Sequence, residues 1–187
     1  MSTARVNPPS ESEVLAAGNR LIVRFPLIRF LDTNGDGTGT KNAIGNYSGA
    51  ATPFYIAPPA DQVYSVTELL IQLSDNGAFG QSVWGSMASA LTNGLLIRAK
   101  RNTTVVLDIL DGIPIKTNDQ LSHLTSRVTL LTWSGSTNTL QASFTTAEFG
   151  TPLYLNGALD ESLEIVCNDD FSGLIDQTFV VHGYVLS

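Results

Sequence analysis

The chain reads as an all-β protein, an antiparallel, jelly-roll-like β-sandwich with an extended N-terminal arm, and three observations predict it. From residue 20 onward apolar residues recur with a period of two rather than the helical period of about 3.6. Clusters of Gly, Pro, Asn and Asp interrupt those runs at short intervals, as turns between strands do. Sustained amphipathic helical patterns do not separate the runs, so successive strands are expected to pack as two antiparallel sheets.

Residues 1–19 are polar, broken by Pro8-Pro9 and without sustained periodicity, which gives the arm; residues 20–187 are read as one sandwich domain, because 187 residues suffice for one sizeable core and are few for two. The first strand, RLIVRFPLIRFL, places Leu21, Val23 and Phe25 on one face and Arg20 and Arg24 on the other. A bulge at Pro26 would slip the register by one, bring Ile28 and Phe30 back to the buried face and keep Arg29 outside. Further strands are expected at Pro53–Ala57, Gln62–Ser74, Gly94–Lys100, Thr103–Leu110, Ser126–Trp133, Thr139–Thr145, Pro152–Asn156, Ser162–Asn168 and Gln177–Leu186. Gly80–Leu91 is the one longer helical candidate, although its glycines weaken a helix, and a short turn of helix is expected around Asp119–Leu124.

Composition narrows the function classes. Seventeen acidic and ten basic residues leave a formal net charge of -7, which disfavours nucleic acid and anionic membranes as partners. Charged residues make up 14% of the chain against roughly 25% in an average soluble domain. The surface is therefore mostly Ser, Thr, Asn, Gln and Gly, a composition suited to packing protein against protein, since interface cores are depleted in charge. The opening MSTARVNPPSESEV lacks the apolar core of a secretory signal, and no run approaches a membrane span, so synthesis in a cytoplasm is the expectation. The single cysteine, Cys167, makes no intrachain disulfide and no Cys/His pattern calls for zinc.

The run DTNGDG sets Asp32, Asn34, Asp36 and Gly37 at the spacing of the first half of a calcium-binding EF-hand loop. Position 12 of such a loop needs a bidentate Glu and here holds Ala43, and a β-patterned strand stands where a helix is needed. A loop shaped by Asx turns is the expectation, with Asp32, Asn34 and Asp36 the residues an irregular calcium site would use. In CNDDFSGL, Asn168, Asp169 and Asp170 read as a capping turn. His123 and His182 come with no GxSxG motif, and Cys167 reads as a small core residue, so no catalytic residues and no cofactor are expected. His182 is expected to face solvent or a neighbouring chain. Arg98, Lys100 and Arg101 make either a small basic patch or a solvated strand end, and Trp84, Trp133 and Tyr154 read as strand-forming core fillers before a sugar-stacking platform.

The stretches FYIAPPADQVYSVTELLIQLSDNGAFG, LTNGLLIRA, DGIPIKTND and NDDFSGLIDQTFVVHGYVLS resemble those of β-sandwich virion structural proteins of tailed bacteriophages. The resemblance implies a non-enzymatic virion component made in the bacterial host cytoplasm, first of all a capsid decoration (cement) protein that binds and stabilises the assembled shell. A tail, adaptor or receptor- or carbohydrate-binding component is the alternative. Implied partners are the major capsid protein or other virion proteins and further copies of the chain, a trimer before a dimer. The arm, through Arg5, Val6, Asn7, Pro8 and Pro9, is the candidate partner contact, because such an arm can add to a neighbouring sheet by backbone hydrogen bonds.

Overall fold

The computed structural model describes residues 12–15, 20–38, 51–81, 83–125, 127–132 and 137–186. They form two antiparallel sheets packed face to face. The larger has seven strands in the order β1 (Ser12–Leu15), β2 (Arg20–Phe30), β11 (Asp176–Leu186), β4 (Val63–Asp75), β8 (Asn138–Thr145) and β7 (Val128–Thr132), with β9 (Leu153–Asn156) also paired to β4. The smaller runs β3 (Thr52–Ile56), β10 (Glu161–Cys167), β5 (Leu95–Arg101) and β6 (Thr104–Asp108). With β1, β7 and β9 set aside, the orders 2-11-4-8 and 3-10-5-6 trace an eight-stranded jelly roll, in which the chain crosses repeatedly between sheets.

The period-two pattern is what builds the core. On β4, Leu69, Ile71 and Leu73 point inward, as do Phe179 and Val181 on β11 and Leu140, Ala142 and Phe144 on β8, all 0–1% exposed. They meet Phe54, Ile56, Ile97, Leu163 and Ile165 of the smaller sheet in one continuous cluster. Phe54 and Phe179 join the sheets directly, with ring centroids 5.3 Å apart and planes tilted by 50°.

Two expectations are corrected. The β2–β11 register runs unbroken from Phe30↔Val180 to Arg24↔Leu186, so no bulge occurs at Pro26. Leu27 and Leu31 are consequently buried while Ile28 is 61% exposed, the reverse of the slipped register. Proline is tolerated here because β1 pairs with β2 only as far as Val23, and among the described residues no strand lies beyond it to need a donor from Pro26. The bulge lies one ladder further in, where Thr67 of β4 is extra opposite His182 and Gly183 of β11. A Cβ on Gly183 would sit 1.9 Å from the Ser65 carbonyl oxygen, so only glycine fits that closely approached position.

The second correction concerns Gly80–Leu91, where no described residue is helical. Its apolar spacing reflects a coiled loop that buries Phe79, Trp84, Met87 and Leu91 at one end of the sandwich. Two carboxylates hold the loop: Asp75 accepts the N–H groups of Gly77 (2.8 Å) and Ser86, and Asp169 accepts those of Thr92 (3.0 Å), Asn93 and Gly94. The short helix does form, as α1 (Asn118–Leu124), opened by a capping box between Thr117 and Gln120. A single helical turn, α2 (Thr146–Phe149), follows β8. No described helix is long and apolar enough to cross a membrane. Residues 12–15, within the stretch read from the sequence as an extended arm, form β1 on the chain's own sheet.

The register assignment is testable by paired substitutions. Phe179→Ala should lower the unfolding free energy by about 3–5 kcal/mol, whereas Ile28→Ser should change it by no more than about 0.5 kcal/mol. Urea unfolding followed by the fluorescence of buried Trp84 measures both, and a large loss from Ile28→Ser would restore the bulge at Pro26.

Candidate functional site

The calcium-like loop is a turn built on its own carboxylates. Asp32 Oδ1 accepts the N–H groups of Asn34 (2.9 Å) and Gly35, and Asp36 Oδ1 accepts the N–H (3.0 Å) and hydroxyl (2.8 Å) of Thr38. The loop is stapled to β3: Tyr55 N–H donates to Asp32 O at 2.9 Å and the Tyr55 hydroxyl to Asn34 O at 3.0 Å. Gly35 stands at φ +72° with its Cα against the Tyr55 ring, where a Cβ would fall 1.9 Å from a ring carbon. Asp32, Asn34 and Asp36 are thus brought into one loop, and both carboxylates are engaged with its backbone. No described group of three or more His, Cys, Asp or Glu side chains is placed to hold a metal ion. The arm contacts Arg5, Val6, Asn7, Pro8 and Pro9 lie outside the described residues.

The other sequence-selected residues have partners of their own. Arg98 Nε donates to Glu164, Lys100 Nζ lies 3.7 Å from the same carboxylate, and Arg101 Nη2 bonds Glu161 at 2.7 Å. What reads as a basic patch is therefore an ion-pair network, invisible in spacing because the register Arg98↔Glu164 and Arg101↔Glu161 comes from the β5–β10 ladder. Asp170 Oδ1 accepts the Ser172 N–H at 2.9 Å, and Ser172's hydroxyl and backbone hydrogen bonds hold its carboxyl below the usual value. Cys167 is fully buried, with Sγ 3.9 Å from Gln177 Oε1, and burial pushes its thiol far above the usual range, which removes the thiolate a nucleophile needs. Trp84 is fully buried, which makes it a core residue and no sugar platform; Tyr154 is 54% exposed. The His123 side chain and Trp133 lie outside the described residues.

His182 lies on the outer face of the large sheet with its side chain 39% exposed, as its alternation with buried Val181 predicts, and it has a partner there. Its Nδ1 lies 3.1 Å from Glu68 Oε2, and Ser143 Oγ donates to Glu68 Oε1. The carboxylate stands between serine and histidine, so the hydroxyl does not touch the imidazole, the contact a serine nucleophile depends on. The cluster braces the outer face of the large sheet where the bulge bends it. Beside it, between the open edge of β2 and the bulge, lies a groove of about 710 Å³ lined by Phe25, Ile28, His182 and Tyr184 among others. Phe25, Ile28 and Tyr184 are 53%, 61% and 41% exposed, a concentration of apolar surface at a sheet edge. The misplaced bulge hid this groove from sequence reading; the run Phe25-Pro26-Leu27-Ile28, too apolar for a strand with one face wet, was the available signal.

No protein-family model matches the chain, and no curated protein matches it either.

The engaged carboxylates set an acid limit. Burial opposes the charged forms of Asp75 and Glu148, yet hydrogen bonds from Ser86 and Gly77 to the first, and from Thr145 to the second, outweigh it and hold both below their ordinary values of 3.8 and 4.5. A carboxyl with a depressed folded-state pKa adds stability above its unfolded pKa and loses it as pH falls through the folded one. Urea midpoints should therefore stay level above about pH 5.5 and fall progressively below about pH 4.5, with a shallower fall in Asp75→Asn. A midpoint that rises on acidification would contradict the assignment.

Proposed function

We propose that the protein is a non-enzymatic structural component of a tailed-bacteriophage virion, a decoration (cement) protein that binds the assembled capsid shell and stabilises it. The observation that carries this reading is the strand order, 2-11-4-8 against 3-10-5-6, because the jelly roll is an architecture used repeatedly by viral capsid domains. The inference from fold is one of analogy, and the surface supports it independently. Carboxylates such as Glu164 and Asp169 are engaged within the fold, while Phe25, Ile28 and Val105 to Leu107 stand exposed at sheet edges. Three of the four stretches that carry the family resemblance fall on β3, β4, β5 and β11, and the fourth leads into α1.

In this role the partners are the major capsid protein or other virion proteins and further copies of the chain. A ligand that binds only the assembled shell stabilises that shell by mass action, and contacts to adjacent capsomers gain effective concentration once the first is made. Residues 2–9, with Arg5, Val6, Asn7, Pro8 and Pro9, serve binding rather than folding, whereas β1 serves folding because it belongs to the sheet.

Two measurements test the proposal. Cryo-electron microscopy of virions of the phage that encodes the chain should place it at repeated positions on the shell, in fixed ratio to the major capsid protein. Density confined to the tail would assign it there, and absence from virions would remove the reading. A chain lacking residues 2–9 should melt within about 2–4 °C of the full chain, the shift expected for a loss near 1 kcal/mol in a domain of this size. It should also occupy shells far less well in direct competition. Equal occupancy would dismiss the arm as a contact.

A further inference from the structure

One end of the smaller sheet is open. β6 pairs with β5 on one side, and among the described residues no strand covers its other side, so the N–H and C=O groups of that edge meet no ladder. Its sequence, TVVLD, contains neither of the residues that most often guard an edge, Lys and Pro. Val105, Val106 and Leu107 are 43%, 52% and 45% exposed, and Ile113 just beyond is 51% exposed. The ladder shifts register between Ala99 and Lys100, which leaves Val106 as an extra residue on the edge strand. The register sets Val105 opposite Lys100 and Leu107 opposite Ala99, neighbours on β5 that face opposite ways, so apolar surface flanks the open backbone on both faces.

We propose that the β6 edge is a homotypic docking surface, on which β6 of a second copy of the chain pairs antiparallel about a two-fold axis and joins two four-stranded sheets. An open main-chain edge is filled by an extended strand, and the apolar residues on both sides are covered only if that strand is apolar too. The same edge of another copy has that character. Orientation follows from charge: β6 begins with Thr104 and ends with Asp108, so antiparallel pairing separates the two acids to opposite ends. A parallel arrangement would set Asp108 beside its own copy, where like charges are destabilising. The basic residue nearest the other end, Arg101, is already paired with Glu161 and leaves no positive charge for an acidic foreign strand to seek.

The contact is short, five residues on each copy. It is suited to copies already held side by side, where a modest contact is multiplied by effective concentration. The inference deepens the shell-binding reading by naming how neighbouring copies meet, as a two-fold pair where sequence resemblance leads to a trimer. Its test needs no shell, so the two stand or fall separately.

Sedimentation equilibrium of the full chain should show a concentration-dependent dimer. Val106→Lys, at an exposed position, should keep the melting temperature and raise the dimer dissociation constant at least about tenfold, because it brings like charges together near the two-fold. Val106→Cys supplies a second readout, since the chain's one native cysteine, Cys167, is buried. A short bifunctional maleimide should convert that variant to a covalent dimer. A chain that stays monomeric at every concentration, a Val106→Lys variant that dimerises as well as the parent, or a dimer in which Val106→Cys fails to cross-link would each overturn the contact.

Discussion

The structure depends on the ladder between β4 and β11. Every residue of β11 has a partner on β4, from Asp176↔Ser74 to Leu186↔Val63, and the opposite side of β4 is filled by β8 and then β9. This places the longest strand at the centre of the large sheet, where its inward residues Leu69, Ile71 and Leu73 face the second sheet under complete burial. The bulge at Thr67 is the one break in that ladder. Because it bends the sheet and adds local twist, it fixes where the outer face turns away from flatness, and the groove beside His182 opens there. Gly183 is the sequence's concession to that geometry, since the Ser65 carbonyl occupies the space of any Cβ.

Five carboxylates hold loops in place. Asp32 and Asp36 shape the turn after β2, Asp75 and Asp169 clamp the long loop between β4 and β5, and Glu148 accepts from Thr145 at the end of β8. Each carboxylate binds backbone N–H groups that would otherwise lack partners, which stiffens the loops at both ends of the sandwich. Several of the apolar side chains that the fold turns outward lie at strand edges: Phe25 and Ile28 on β2, Val105 to Leu107 on β6. In the proposed role these edges are where the protein meets its neighbours, and the rigid centre keeps them in position.

Much of this was legible in the sequence wherever one residue type decides one local outcome. Alternation located ten strands to within a few residues, because a half-buried strand must alternate, and Thr117 and Gln120 cap the helix expected near Asp119. The Asx turns at Asp32 and Asp36 were readable for the same reason. What could not be read was tertiary. Pro26 looked like a bulge because a proline in a strand needs an excuse, and the excuse is that among the described residues no strand pairs with that edge beyond Val23. Gly80–Leu91 looked helical, yet two acidic side chains, one of them from a distant loop, fold that segment as a coil. Glu161 and Glu164 became the partners of Arg101 and Arg98 only through a register set over some sixty residues of intervening chain.

The β4–β11 ladder carries the fold, and in the proposed role the edges of β2 and β6 carry the binding. Amide hydrogen exchange on the full chain, free and bound to shells, tests it most directly, since exchange separates core opening from local opening. Amides of β4 and β11 should exchange slowest in both states, while β6 and residues 24–30 of β2 should gain protection only on the shell. Exchange in β4 and β11 as fast as in β6, or protection on binding that appears away from both edges, would contradict it.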